Sequence, residues 1–490
     1  MKKLFRRISV VFLSFAILLS LFPVSAFSVD KSNQVWDGSV ADSFFGGTGT
    51  QADPYIISTA AELARFESLV NSGNETICGE LNNDIILNEK VLKEDGTLVT
   101  NSLLLKKWQP IAYYHYDSIN GETSYYYRGV FDGKGHTISG IYYKDTSEDY
   151  IGLFGEIEDS TIKNLNIIDS YIKARSSVGG ITGELGSNSI IENCSFNGSV
   201  NGSTSNIGGI AGELVSTGSI INCTFFGSVD GQESNIGGMC GYASGTIKNC
   251  TNYGKIAAAE SVGGICGITN NSLIENCINT GAVNGSSSRI GGVSGENYGG
   301  TISLSCNYGR ITGASSVGGI CGINSSEDST IKNCYYDSSA STGYNGSGNV
   351  INLVSRSASQ FASGEVAYSL QSYQQKDATG TAALIWGQSS LNDGSYPILT
   401  NNEKYRVLPV FNSEGKVLSY LTNYMGDCNN DNVVNADDYL ELKNIVVGIT
   451  ALGGENDRKR FASDLNGDGV SDAFDLSNLD LLLSGLKTSL

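Results

Sequence analysis

Two stretches near the C-terminus space oxygen-bearing residues in the way a hard divalent cation requires. Asp427, Asn429, Asp431, Asn435 and Asp438 fall at positions 1, 3, 5, 9 and 12 of a loop, and Val433 offers its main-chain carbonyl at position 7. The same spacing returns 37 residues later as Asp464, Asn466, Asp468, Asp472 and Asp475, with Val470 at position 7. Calcium takes six to eight oxygen ligands in such loops, so the pattern reads as two Ca2+ sites. Position 6 needs a sharp turn, which Gly469 meets in the second loop and Asn432, tolerant of positive φ, meets in the first. Without the ion these carboxylates repel one another, so ion binding is expected to drive folding.

Each loop runs into an apolar helix, predicted over 439–447 and 476–486. Position 12 is aspartate in both loops, where an EF-hand carries glutamate, and no clear helix precedes either loop. Over about 425–486 the module resembles the type I dockerin, the duplicated loop–helix unit through which secreted enzymes of anaerobic bacteria plug into cohesin domains of a scaffolding protein. The resemblance implies a cohesin partner. It also implies partner-reading positions at 10 and 11 of each loop and on the helix beyond. These are Ala436, Asp437, Leu440, Lys443 and Asn444 in the first half, and Ala473, Phe474, Leu479 and Leu482 in the second. Asp437 and Phe474 differ at one equivalent position, which points to one preferred docking orientation.

A second set of carboxylates lies in the body of the chain. Glu184, Glu213 and Glu296 each follow a repeated glycine, and Glu184 and Glu213 belong to adjacent repeats. Glycoside cleavage needs two carboxyl groups about 5–10 Å apart. Tyr242, Ile268 and Ile323 hold the same position in other repeats, as at a tolerant solvated corner, and no catalytic residue is assigned.

The repeats themselves set the architecture. Seven glycine-rich blocks, from Ile151–Gly155 to Val317–Gly322, end on glycines 28, 29, 29, 26, 28 and 27 residues apart. In phase with them run Ile162-Lys-Asn-Leu165, Ile191-Glu-Asn-Cys194, Ile247-Lys-Asn-Cys250, Ile274-Glu-Asn-Cys277 and Ile331-Lys-Asn-Cys334. Such a period marks a solenoid. Apolar residues alternate over three to five positions and break at glycine or asparagine, which is strand patterning. The fold class is therefore an all-β solenoid, a β-helix of three short strands per coil of about 28 residues with helical caps, plus a small all-α calcium-binding domain.

Stacked coils place like residues in columns about 4.8 Å apart. Asn164, Asn193, Asn222, Asn249, Asn276 and Asn333 are expected at a left-handed corner. Two cysteine columns follow, one of Cys194, Cys223, Cys250, Cys277, Cys306 and Cys334, the other of Cys240, Cys266 and Cys321. The second column shares its position with Thr182, Ala211 and Ser294, so small buried thiols are expected, with bridges between adjacent coils left open. The repeats over about 151–335 resemble the GLUG-type family of secreted and surface proteins of bacteria, which implies an adhesive or surface role and supplies no catalytic residues.

The remaining organisation follows. Lys2, Lys3, Arg6 and Arg7 precede an apolar run to Phe22 and the small-residue exit Val24-Ser25-Ala26, a secretory signal peptide over 1–26. Residues 27–150 form an N-terminal cap and first coils, with a helix capped by Thr59 and Glu62; 336–410 form the C-terminal cap, 411–424 a linker and 425–490 the docking module. Net charge is −19, which disfavours nucleic acid and anionic membrane, and beyond the leader no segment is apolar enough to span a bilayer. These features describe a secreted, extracellular protein held at a cell surface through a scaffold complex. For the coil three readings stay open: a non-catalytic adhesive or glycan-binding arm, a polysaccharide-degrading hydrolase or lyase, and a spacer. Tyr113, Tyr114, Tyr116, Tyr125, Tyr126, Tyr127, Tyr142, Tyr143 and Tyr150 are candidates for stacking on sugar rings or for strand packing.

Overall fold

The isoleucines of the repeat fix the register of a parallel coil. Ile162, Ile191, Ile220, Ile247, Ile274, Ile302 and Ile331 are direct neighbours on successive turns, all fully buried. This computed structural model describes residues 35–113, 115–117, 121–123, 125–339, 345–373, 386–391, 394–400, 405–422, 426–429, 434–450, 462–465 and 470–484. The expected leader at 1–26 lies outside them. From Trp36 onward the described chain belongs to one compact unit.

Three parallel sheets of 24, 8 and 7 strands form the faces of the solenoid, and the first face is bent into two or three short strands per turn. Parallel pairing starts with Tyr55–Ile57 against Gly79–Leu81 and continues to Asn349–Arg356 against Thr330–Asp337, so the coil extends past the last recognisable repeat. The glycines are needed where turns touch. A Cβ built on Gly212 would lie 2.4 Å from the carbonyl carbon of Ser177 on the preceding turn. At the N-terminal end helix α1 (Ala60–Val70) is capped by Thr59, whose hydroxyl accepts from Glu62 N at 3.2 Å. It lays Leu63, Phe66 and Val70 on the coil, with Phe66 edge-on to Tyr127 and Phe131.

The corner asparagines form a hydrogen-bonded ladder. Each amide donates to the carbonyl oxygen of the one before it: Asn193 to Asn164 at 3.3 Å, Asn222 to Asn193 at 3.2 Å, Asn249 to Asn222 at 3.0 Å and Asn276 to Asn249 at 3.2 Å. All five have φ between 53° and 57°, the left-handed geometry that asparagine accepts with little cost. Asn164 closes the ladder on Asp132 at 3.0 Å, and the indole of Trp386 donates to Asn276 at 3.1 Å at the other end. A second, buried ladder was not anticipated. Asn252 donates to Asn279 and Asn279 to Asn307, both at 2.7 Å, in the interior column that Phe196 and Phe225 occupy on earlier turns.

One turn breaks the rule and corrects a cysteine assignment. Leu304 takes the asparagine corner at φ 48°, Ser305 takes the thiol position, and Cys306 is displaced by one residue to pair with Ile278 and Tyr335. Cys306 therefore leaves the interior column and faces outward. The C-terminal cap covers it: helices α2 (Ala358–Ala362) and α3 (Glu365–Tyr373) and Trp386 bury Ile278, Leu304, Cys306 and Tyr335 from outside. On earlier turns the same outward column carries Asn166, Ser195, Thr224 and Thr251. The switch from polar to apolar marks where the cap docks, and burial of Leu304 offsets the ~1–2 kcal/mol of its left-handed backbone. All eleven cysteines are buried free thiols.

Of the expected linker 411–424, residues 411–422 belong to a hairpin, and 423–424 lie outside the described residues. Val407–Phe411 and Val417–Thr422 form an antiparallel hairpin whose Leu408, Val410 and Leu421 are buried in the core of the C-terminal module. Leu421 lies opposite Leu408 on the buried face of the hairpin, whose turn carries Gly415 at φ 74°.

The cap predicts a thiol-reactivity test. Trp386→Ala should cost about 3–5 kcal/mol of stability in the cap and open Cys306 to a maleimide reagent, with Cys277 and Cys334 still protected. Equal protection of all three in the variant would contradict the outward placement of Cys306.

Candidate functional site

Helices α4 (Ala436–Val446) and α5 (Ala473–Leu483) begin three residues earlier than the apolar pattern alone indicates. The reason is capping by loop residues. Asn435 and Asp472, at position 9, are N-caps whose side chains accept from Asp437 N and Phe474 N, each at 2.7 Å. The position-12 aspartates complete capping boxes, Asp438 accepting from Asn435 N and Asp475 from Asp472 N, each at 2.8 Å. The same carboxylates reach back across their loops. Asp438 accepts from Asn429 N at 3.1 Å and Asp475 from Leu465 N at 2.8 Å. Loop and helix are thus closed by one carboxylate in each half.

Asp427, Asp438 and Asp475 are fully buried, Asp464 and Asp472 half-buried, and Asn429 and Asn435 half-buried; Val470 is exposed. Asp431, Val433, Asn466 and Asp468 lie outside the described residues, and among the described residues no group of three or more His, Cys, Asp or Glu is gathered around one point. The donor set still suits a hard cation, because burying a carboxylate is costly unless a counter-charge or hydrogen bonds accompany it. Residues 427, 429, 435 and 438 would hold an ion in the first loop, and 464, 472 and 475 in the second.

The two halves present the same outer positions. Ala436, Asp437, Leu440 and Lys443 are exposed on α4, with Asn444 half-buried. Ala473 and Phe474 are exposed on α5, Phe474 to 72%. Leu479 and Leu482 are not surface residues: both are fully buried beside Leu442, Val434 and Cys428. The 37-residue repeat equates them with Leu442 and Ile445, so the outward residues of α5 are Ser477, Asp480 and Leu481. Applying the first helix's positions to the second would have located them. The asymmetry is then larger than Asp437 against Phe474, since Leu440 corresponds to Ser477 and Lys443 to Asp480.

In the solenoid, Glu156, Glu184 and Glu213 stack in register on three successive turns. Burial, then the charges of Glu156 and Glu213, raise the Glu184 carboxyl to about 7. Glu213 accepts from Ser177 Oγ at 2.7 Å and Asn206 Nδ2 at 2.5 Å. Glu296 stands apart, three turns beyond Glu213 with Tyr242 and Ile268 on the turns between, and is paired with Arg289 at 3.3 Å. Among the candidate tyrosines, Tyr127 and Tyr143 are core residues at 0% and 1% exposure, and Tyr142 stacks on Tyr171 with centroids 6.4 Å apart. Tyr114 and the side chain of Tyr116 lie outside the described residues.

A model described as the Dockerin type I domain matches residues 425–483, and the GLUG motif matches 174–201. A 161-residue stretch is 32% identical to a Gly-rich membrane protein of Evansella cellulosilytica, covering 32% of this chain and 16% of that protein. A 165-residue stretch is 27% identical to Halomucin of Haloquadratum walsbyi, 34% of this chain and 2% of that one. The chain spans a small part of the length of these curated relatives. A solved chain from Bacteroides ovatus described as a putative immunoglobulin A1 protease aligns over 74% of this chain and 96% of its own, at 23% identity and a TM-score of 0.45. The protein carries a C-terminal dockerin-like domain and a β-solenoid with GLUG-type repeats, an architecture that fits a cellulosome-like system.

Two outcomes follow from these placements. Leu479→Ala should destabilise the docking module by about 2–5 kcal/mol, and Phe474→Ala by less than about 0.5 kcal/mol, in denaturant melts of the free protein. For Glu184 the folded value lies above the unfolded 4.5, so the native state binds the extra proton and stability falls as pH rises from 4.5 towards 7. Glu184→Gln should therefore raise stability by on the order of 2 kcal/mol at pH 8 and leave it unchanged at pH 4.

Proposed function

We propose that this chain is a secreted, non-catalytic adhesive or glycan-binding rod, held on a scaffold by calcium-dependent docking of its C-terminal module to a cohesin domain. The observation that carries the docking reading is the repeated loop–helix unit. In each half a buried position-12 aspartate ties the loop to the helix and leaves positions 10 and 11 exposed. Two Ca2+ ions would supply the counter-charge that the buried carboxylates require. Among the described residues no helix is long and apolar enough to cross a membrane. Plant or host polysaccharide is the ligand class proposed for the rod, whose flanks are rich in Ser, Thr, Asn and Gly.

A second reading has one observation in its favour. The raised Glu184 carboxyl between two stacked glutamates is the arrangement in which one group can donate a proton and a neighbour accept one. Release of reducing ends or unsaturated uronate from a polysaccharide panel, abolished by Glu184→Gln, would establish that reading and displace the first.

The docking reading predicts calcium-dependent capture. The full chain should bind an immobilised cohesin with calcium and lose that binding in excess chelator, and Phe474→Ala or Leu440→Ala should weaken it by about 1–2 kcal/mol or more when that half faces the partner. Undiminished binding in chelator would refute it.

A further inference from the structure

The hairpin 407–422 does more than join the rod to the docking module. Its first strand makes a parallel bridge to the first loop: Val434 N donates to Pro409 O at 3.0 Å, and Phe411 N donates to Val434 O at 2.8 Å. Val434 is position 8 of that loop and follows Val433, whose carbonyl is assigned to the ion. Leu408, Val410 and Leu421 share one buried cluster with Cys428, Val434 and Leu442. The hairpin is in turn anchored on the solenoid cap. Val407 N donates to Gln371 Oε1 of α3 at 3.3 Å, and the Tyr368 and Tyr420 rings lie 5.6 Å apart.

The second loop is built differently at the equivalent place. Its position 8 is Ser471, half-buried, with its hydroxyl 2.6 Å from Ser463 Oγ. A buried valine under a hairpin in one loop and a hydroxyl pair in the other is an asymmetry of both sequence and packing. From it we infer that Val410 and its hairpin are positioning residues for the first calcium site alone, fixing the main chain at Val434, the residue after the carbonyl assigned at position 7, before the ion arrives. The inference rests on the calcium reading above. Holding a ligand's main chain in place acts on a metal as outer-shell support does, and loss of such support costs roughly 10–100-fold in affinity. The first site would then be linked to the rod's cap and the second independent of it.

The experiment is a calcium titration of the full chain with one loop disabled at a time. In an Asp464→Ala background, where the first site remains, Val434→Ser and Val410→Ala should each weaken calcium binding roughly tenfold or more, and Val434→Ile should restore it. In an Asp427→Ala background, where the second remains, the same changes should leave affinity within about twofold, which also shows that the module is folded. Hydrogen exchange gives a second readout: in chelator the Phe411 and Val434 amides should stay protected in the wild-type chain and lose protection in Val410→Ala, with α3 protected in both. Equal weakening of both sites, or indifference of the first, would overturn the positioning role with the calcium reading intact. A wild-type chain that takes up no calcium would overturn both.

Discussion

Everything in the rod depends on residues stacking in register on their equivalents one turn away. Parallel strands satisfy their backbone groups only against neighbouring turns, so a shift of one residue would turn a whole strand inside out. The isoleucine column and the glycines that let turns approach hold that register. The asparagine ladder adds a side-chain bond per turn at the one corner where left-handed backbone is obligatory. A solenoid of this kind leaves an open edge at each end; the helix at 60–70 covers the first turns, and the cap around Trp386 packs on the outer face of the last ones.

The departures from the repeat are informative for the same reason. Leu304 in place of asparagine ends the ladder at Asn276, whose free oxygen receives the indole of Trp386. The displaced Cys306, with Ile278 and Tyr335, turns an otherwise polar outer column into a dock for the cap. The buried Asn252, Asn279 and Asn307 show the opposite substitution, polar for aromatic inside the rod, tolerated because each amide bonds to the next.

The docking module is governed by its own constraint, the burial of Asp427, Asp438 and Asp475. One aspartate per half closes the loop, caps the helix and contributes to the proposed ion site, so folding and ion binding share the same atoms. The outer faces of the two helices differ at four equivalent positions, Asp437 against Phe474, Leu440 against Ser477, Lys443 against Asp480 and Asn444 against Leu481.

The sequence by itself determined the solenoid, its period, the left-handed asparagine corner, the two loop–helix halves and the helix at the N-terminal end. These are local or strictly periodic features, and periodicity survives without knowledge of contacts. It misassigned Cys306 because matching by residue type outweighed counting from Ile302, and it placed Leu479 and Leu482 outside because one apolar helix face resembles another until its neighbour is known. Only the tertiary structure decided that 407–422 is a hairpin, that it pairs with Val434, and that Glu184 sits between two carboxylates. Each of those depends on segments distant in the chain meeting across a turn or a module boundary, where energy comes from packing partners that no local pattern names.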